Sequence, residues 1–274
     1  MIEIPESKVI SEQAECILAG KQITEVVNAT SPHKFAWYYG DPALYSSLLV
    51  GRRIERVEGH GSFVDIHCDD DVCISIGDGT IMRYYPSFEK HPAKHQLLIV
   101  FDDNSFLAFT VAMYGAIFAY KGKLENCYHI GSLTKLSPLS SDFDNVYFDG
   151  LFKSVKKDMS IKALLATEQR IPGLGNGVLQ DILFNAGVHP KRKISTITDL
   201  ERSDLFHCLK VTLESMISKG GRDTEKDFYG NQGGYKTLLS KNTYKKPCPN
   251  CGGSIVKEAY LGGTIYFCPD CQKY

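Results

Sequence analysis

Four cysteines near the C-terminus carry the most specific chemistry in the chain: Cys248 and Cys251 form one Cys-x-x-Cys pair, Cys268 and Cys271 another, with 16 residues between the pairs. Each pair turns two thiolates toward one point. The run from Gly252 to Phe267 is long enough to go out and back as a β-hairpin that closes a tetrahedral four-sulfur zinc site. Four protein ligands leave no position for water, so the single Zn2+ is read as structural, contributing directly to folding the segment 241–274. Cys16, Cys68, Cys73, Cys127 and Cys208 have no paired spacing and read as small core residues of a reducing compartment, without assigned chemistry. His33, His60, His95 and the remaining histidines also lack ligand spacing and read as polar or packing residues. A second chemical feature is Pro172-Gly173-Leu174-Gly175-Asn176. Its glycines permit close backbone approach between two helical segments, so main-chain N–H groups around Gly175 and the Asn176 side chain can meet a phosphate. A dinucleotide loop is disfavoured, because helix and not strand precedes it.

These groups need a frame to hold them, and the apolar pattern indicates one. The chain is 274 residues long with 43% hydrophobic residues, enough for two cores. Helical spacing of Val9, Ile10, Ala14, Ile17 and Leu18 predicts a helix over 7–19, stopped by Gly20. From Ile23 to about Tyr120 the pattern turns to short β-branched and aromatic runs at 23–27, 62–66, 72–76, 96–101, 106–111 and 116–120, with turn signals between them. This predicts an antiparallel β-sandwich or barrel over 1–130. Residues 131–150 read as a linker. Helical period returns at 153–169, 178–186 and 199–219, and the metal hairpin closes the chain. The fold class expected is α+β in two domains: a sandwich with flanking helices, then a helical domain over 151–240 bearing the ribbon at 241–274.

The formal charge of −1 conceals an asymmetry. Residues 1–150 hold 12 Lys and Arg against 20 Asp and Glu, whereas residues 151–274 hold 19 against 12. The second half is therefore the side suited to a polyanion. The opening MIEIPESKVI lacks a basic leader and an unbroken apolar run, and no segment approaches membrane-spanning length, so a cytoplasmic protein without membrane association is expected.

Taken in order, Ile2-Glu3-Ile4-Pro5-Glu6, Ile161-Lys162-Ala163-Leu164-Leu165, the glycine-rich elbow 172–176 and the ending Phe267-Cys268-Pro269-Asp270-Cys271-Gln272 resemble the formamidopyrimidine-DNA glycosylase and endonuclease VIII family over nearly the whole chain. The resemblance implies a helix-two-turn-helix domain. It also implies damaged or abasic double-stranded DNA in the cleft between two domains of a monomer, and a nucleoid-associated location. Lys162, Asn176 and Gly175 then grip backbone phosphates. It implies further that an N-terminal amine attacks the deoxyribose to form an imine, with Glu3 moving protons at the sugar and Glu6 supporting the nucleophile. A terminal amine suits that task because it is partly unprotonated near neutrality.

Several positions depart from the family pattern. Ile2 stands where the nucleophilic proline belongs. Methionine is usually kept before a large residue, so Met1 remains and the amine moves by about 3.8 Å. Ser62 replaces a lysine, Asp78 a void-filling methionine, Ala112-Met113 an arginine pair and Gly263 the ribbon arginine. Arg83, Lys90 and Lys94 are cations near enough in sequence to compensate. Two functions follow: a base-excision glycosylase, with or without AP-lyase activity, working with Met1 or Ile2 as the terminal residue, or a silent relative that binds DNA without cleavage. A zinc-ribbon protein with RNA or protein partners is a third reading. The glycine-rich run 220–235 reads as a segment that orders over a ligand, or as a flexible connection.

Overall fold

The computed structural model describes residues 1–77, 79–87 and 92–274, so Asp78 and Lys90 lie outside the described residues. Helix α1 (Ile4–Leu18) holds Pro5 in its first turn, which the fixed φ of proline suits. It spans the boundary between two cores. Ile10, Ala14 and Leu18 pack with Ile2 into the sandwich, while Ile4 enters the helical core.

The sandwich is built from β1 (Ile23–Asn28), β2 (Ala36–Tyr38), β3 (Ile54–His60), β4 (Phe63–Cys68), β5 (Val72–Gly77), β6 (Thr80–Tyr85), β7 (Leu97–Phe101), β8 (Phe106–Val111) and β9 (Gly115–Lys121), with α2 (Tyr45–Leu49) between β2 and β3. One sheet has the order β1-β7-β8-β6 and the other β2-β9-β5-β4-β3. Pairings are antiparallel except β2 with β9, a parallel pair added at one edge. The two-residue period sends Val64, Ile66, Ile74, Ile76, Ile117 and Ala119 into the central core. The alternate residues Phe63, Cys73, Phe118 and Tyr120 face outward, where Leu124 covers them. Strands β2, β3 and β6 were not expected. Glu55, Arg56 and Glu58 break the apolar signal of β3, because only one face of that strand is covered.

Helices α3 (Cys127–Thr134) and α4 (Asn145–Lys153) occupy both ends of the stretch expected as a linker at 131–150, capped by Asn126 and Asp144, whose side chains accept backbone N–H groups of the first turns. The helix expected over 153–169 is only α5 (Ile161–Ala166). Ser160 caps it by accepting from Ala163 N at 3.2 Å, and Glu168 and Gln169 at φ +55° and +48° end the helical path. Helix α6 (Asn176–Asn185) and α7 (Asp199–Ser218) lie close to expectation. The ribbon strands β10 (Val256–Tyr260) and β11 (Gly263–Phe267) pair in register through a two-residue turn, Leu261-Gly262, both at positive φ. Among the described residues no helix is long and apolar enough to cross a membrane.

Candidate functional site

The four ribbon thiolates converge as their spacing predicts. Cys248 Sγ lies 3.7 Å from Cys271 Sγ and Cys251 Sγ 3.5 Å from Cys268 Sγ, and all four lie within 4.8 Å of one another. A tetrahedron with Zn–S bonds of about 2.3 Å has sulfur–sulfur edges of about 3.8 Å, so the set fits Zn2+ with little movement. Cys248 N donates to Gly253 O and Cys268 N to Gln272 Oε1, holding both knuckles without the metal's help.

The glycine-rich elbow is shaped by contact with the N-terminus and the sandwich. A Cβ on Gly173, at φ +76°, would lie 2.2 Å from the carbonyl carbon of Gly61 in the β3–β4 turn, and one on Gly175 would lie 2.4 Å from Glu3 Cδ. Ile4 N donates to Gly173 O at 3.0 Å. The amides that the sequence offered to a phosphate are taken: Gly177 N and Val178 N donate to the Glu3 carboxylate at 3.0 and 2.8 Å. The anion at the N-terminus of α6 is thus supplied by the chain itself.

Arg222, which sequence reading had not singled out, completes this centre. It is 2% exposed and reaches Glu6 through Nε at 2.9 Å and Nη2 at 2.7 Å, with Glu3 Oε2 3.4 Å from Nη1. Burial raises the Glu3 pKa, against the opposing charge of Arg222. Burial also opposes the Arg222 charge, but Glu3 and Glu6 outweigh it and hold the guanidinium above its ordinary range. The Met1 amine donates to Glu225, a second unforeseen residue, and Ile2 is buried beneath it. Tyr114 OH donates to Met1 Sδ at 3.8 Å. Beside them Trp37 packs against Tyr114 with centroids 5.8 Å apart, and Trp37 and Met113 are half or more exposed. The surface beside the N-terminus is therefore apolar where Ala112-Met113 replace the arginine pair of the family pattern.

Lys162 and Asn176 come together under the ribbon turn. Lys162 Nζ donates to Tyr260 O at 2.7 Å and Asn176 Nδ2 to Thr264 O at 2.6 Å. Burial lowers the Lys162 pKa. A Cβ on Gly263 would sit 3.6 Å from both nitrogens, so all three positions share one spot. Asn176 Oδ1 is buried without a partner. Beyond the hairpin bonds, Lys162 retains two ammonium protons and Asn176 one amide proton.

Segment 220–235 is folded rather than loose. Arg222 bridges to Tyr235, Lys226 to Gln232, and Phe228 is fully buried in the sandwich core, stacked on Tyr84 at 5.6 Å. The aromatics Phe228, Tyr229 and Tyr235 among glycines and charges were the signal that this run is anchored. The histidines also differ from expectation: His60 Nε2 and His129 Nε2 bond Asp65 Oδ2 at 2.7 and 2.8 Å. They stand 69 residues apart in sequence, and only the packing of α3 on β3 and β4 joins them.

No family model matches the chain. It is 30% identical over 280 residues to the formamidopyrimidine-DNA glycosylase of Legionella pneumophila, covering 99% of this chain and 98% of that one. It is 29% identical over 287 residues to the enzyme of that name from Brevibacillus brevis, covering 100% and 99%. Among solved structures, the Lactococcus lactis Fpg bound to DNA containing an abasic site superposes with a TM-score of 0.85 at 20% identity, covering 99% of this chain and 100% of that one.

Proposed function

The chain belongs to the formamidopyrimidine-DNA glycosylase family, and on that premise we propose that it is a base-excision repair protein that binds damaged double-stranded DNA between its two domains and excises an oxidised base. The observation that carries this is the Met1 amine, held where the two cores meet with Glu3, Glu6, Glu225 and Arg222 around it. The amine attacks C1′ of the flipped nucleotide, the glycosidic bond breaks, and the base leaves with its electron pair and takes up a proton from water. Glu225 takes the proton that the amine must shed. Glu3, whose pKa burial raises, exchanges a proton with the sugar oxygen as the ring opens. A primary amine forms an imine where a secondary amine forms an iminium, and both are electrophilic enough for the same elimination, so Ile2 in place of proline leaves this route open.

Lys162, Asn176 and Gly175 are the proposed phosphate clamp, using the protons left after the hairpin bonds, and the basic second half supplies the salt-dependent part of affinity. Trp37 and Met113 provide the apolar surface that enters the stack when the damaged nucleotide leaves it. The protein acts as a monomer on chromosomal DNA in the cytoplasm.

A second reading rests on one observation. Both Glu3 oxygens are already committed, to the α6 amides and to Arg222, which favours a DNA-binding relative without cleavage. Borohydride trapping on duplexes carrying an oxidised base or an abasic site separates the two. The enzyme reading expects a covalent adduct that disappears when the amine is acetylated. Binding without an adduct selects the silent relative, and absence of any salt-sensitive duplex binding overturns both. Mass measurement of the intact N-terminus shows which residue bears the amine.

A further inference from the structure

The outer face of the β2-β9-β5-β4-β3 sheet holds a second group of potential metal ligands, remote in sequence from the ribbon. His67 on β4 pairs directly across from Cys73 on β5, and Asp65 lies two residues along β4 on the same face. One ligand atom from each of the three lies within 4.8 Å of the others. They line a cavity of about 890 Å3 between the sheet and α3.

Two of these residues carry a buried polar atom with no hydrogen-bond partner among the described residues. Asp65 has a side chain 3% exposed, and its Oδ1 is buried and unpaired. His67 Nε2 is also buried and unpaired; Glu58 Oε2 at 3.4 Å does not form a hydrogen bond with it. Leaving a buried carboxylate oxygen and a buried ring nitrogen unpaired is costly, and such groups call for an unseen partner. The other carboxylate oxygen, Oδ2, is held by His60 and His129 at 2.7 and 2.8 Å. Those bonds fix the Asp65 carboxylate and leave Oδ1 directed elsewhere. Ligating carboxylates are commonly braced by outer hydrogen bonds of this kind.

We propose that Asp65, His67 and Cys73 bind one divalent transition-metal ion of the zinc class, with His60 and His129 as positioning residues and the cavity supplying water to a fourth position. The donor set of oxygen, nitrogen and sulfur suits Zn2+ or Co2+ and argues against Mg2+ or Ca2+. Ligand atoms on one tetrahedral zinc lie about 3.3 to 3.8 Å apart, so the three groups close by at most about 1.5 Å. Three protein ligands and one open position differ in kind from the closed four-thiolate ribbon. This site is independent of the function proposed above.

Metal content of the full chain, purified with zinc and dialysed, tests the assignment. Two zinc ions per chain are expected for the parent, falling to one in Cys73→Ser and in His67→Ala, with near-ultraviolet circular dichroism and the ribbon's zinc unchanged. Should Cys73→Ser fail to fold, His67→Ala gives the same count on its own. Co2+ added to parent stripped of its second zinc but retaining the ribbon's should give thiolate-to-cobalt absorption that is absent in Cys73→Ser. His129→Gln should weaken that binding by about 10- to 100-fold while leaving the ribbon's metal in place. One zinc in the dialysed parent, or a second equivalent that persists in the folded variants, overturns the proposal.

Discussion

The ribbon and the N-terminal centre are both held by a few strongly interacting groups, yet they are assembled in opposite ways. The ribbon draws its four thiolates from residues 248–271, each pair on its own local turn. The N-terminal centre joins Glu6 to Arg222 across 216 positions and Met1 to Glu225 across 224. The ribbon closes short loops and needs little of the remaining fold, whereas the N-terminal centre exists only once both domains have packed. Helix α6 connects the two: Glu3 caps its start, Gln180 Oε1 accepts from Tyr266 N at 2.7 Å, and Asp181 accepts from Leu238 N and Leu239 N at 2.9 Å.

The contrast breaks most visibly at the metal. Cys268→Ser should remove most of the metal-linked folding energy, on the order of 10 kcal/mol for structural zinc, and expose residues 241–274 to proteolysis. Limited proteolysis with mass detection should show the sandwich intact, since its core contains no ribbon residue. Loss of the sandwich at the same metal concentration would mean that the two regions are not separable.

Arg222→Met should act in the reverse sense, costing about 3 to 5 kcal/mol at pH 7 because Glu3 and Glu6 are left buried without their cation. Urea unfolding followed by tryptophan fluorescence should show this cost shrinking as pH falls and the Glu3 carboxyl, whose pKa burial raises, takes up a proton. A cost independent of pH would locate the damage in packing rather than in charge.

Asp181 sharpens the comparison at the shared helix. Burial pushes its carboxyl up to about 6, against backbone donors that oppose the shift. With a folded pKa above the unfolded value of about 3.9, the contribution is present in full below pH 4 and is lost as pH rises through 6. Relative to Asp181→Asn, the parent should therefore lose roughly 2 to 3 kcal/mol between pH 4 and 7, as read from paired denaturation curves. A flat difference would show that Asp181 is charged in the native state at no cost. The smallest effect is expected at Thr198→Ala. This change removes the cap of α7, which accepts from Glu201 N at 3.3 Å, and should cost about 1 kcal/mol without altering metal content or DNA affinity.

How much could be read in advance follows the same division. Six of the sandwich strands and helices α1, α6 and α7 carry dense periodic apolar residues and were expected near their observed bounds. The short edge strand β2, the half-covered β3 and the capped helices α3 and α4 carry too little apolar surface to stand out, because neighbours bury them on one side only. Residues 220–235 read equally as a segment that orders over a ligand or as a loose connection until Phe228 was placed in the sandwich core. Asp65, His67, Cys73 and His129 looked ordinary because strand pairing and helix docking, rather than spacing, bring them together.

Sequence alone determined the four-thiolate ribbon, the alternation of the sandwich strands and the presence of Glu3, Glu6, Lys162 and Asn176, since each depends on turns and periods a few residues long. Only the tertiary structure decided what those side chains meet. It directed Glu3 to α6 and Arg222, the Met1 amine to Glu225, and Lys162 and Asn176 to the ribbon carbonyls. The reason is desolvation: a charge removed from water must find an opposite charge or a backbone dipole, and which one lies within reach is set by how the two domains close on each other.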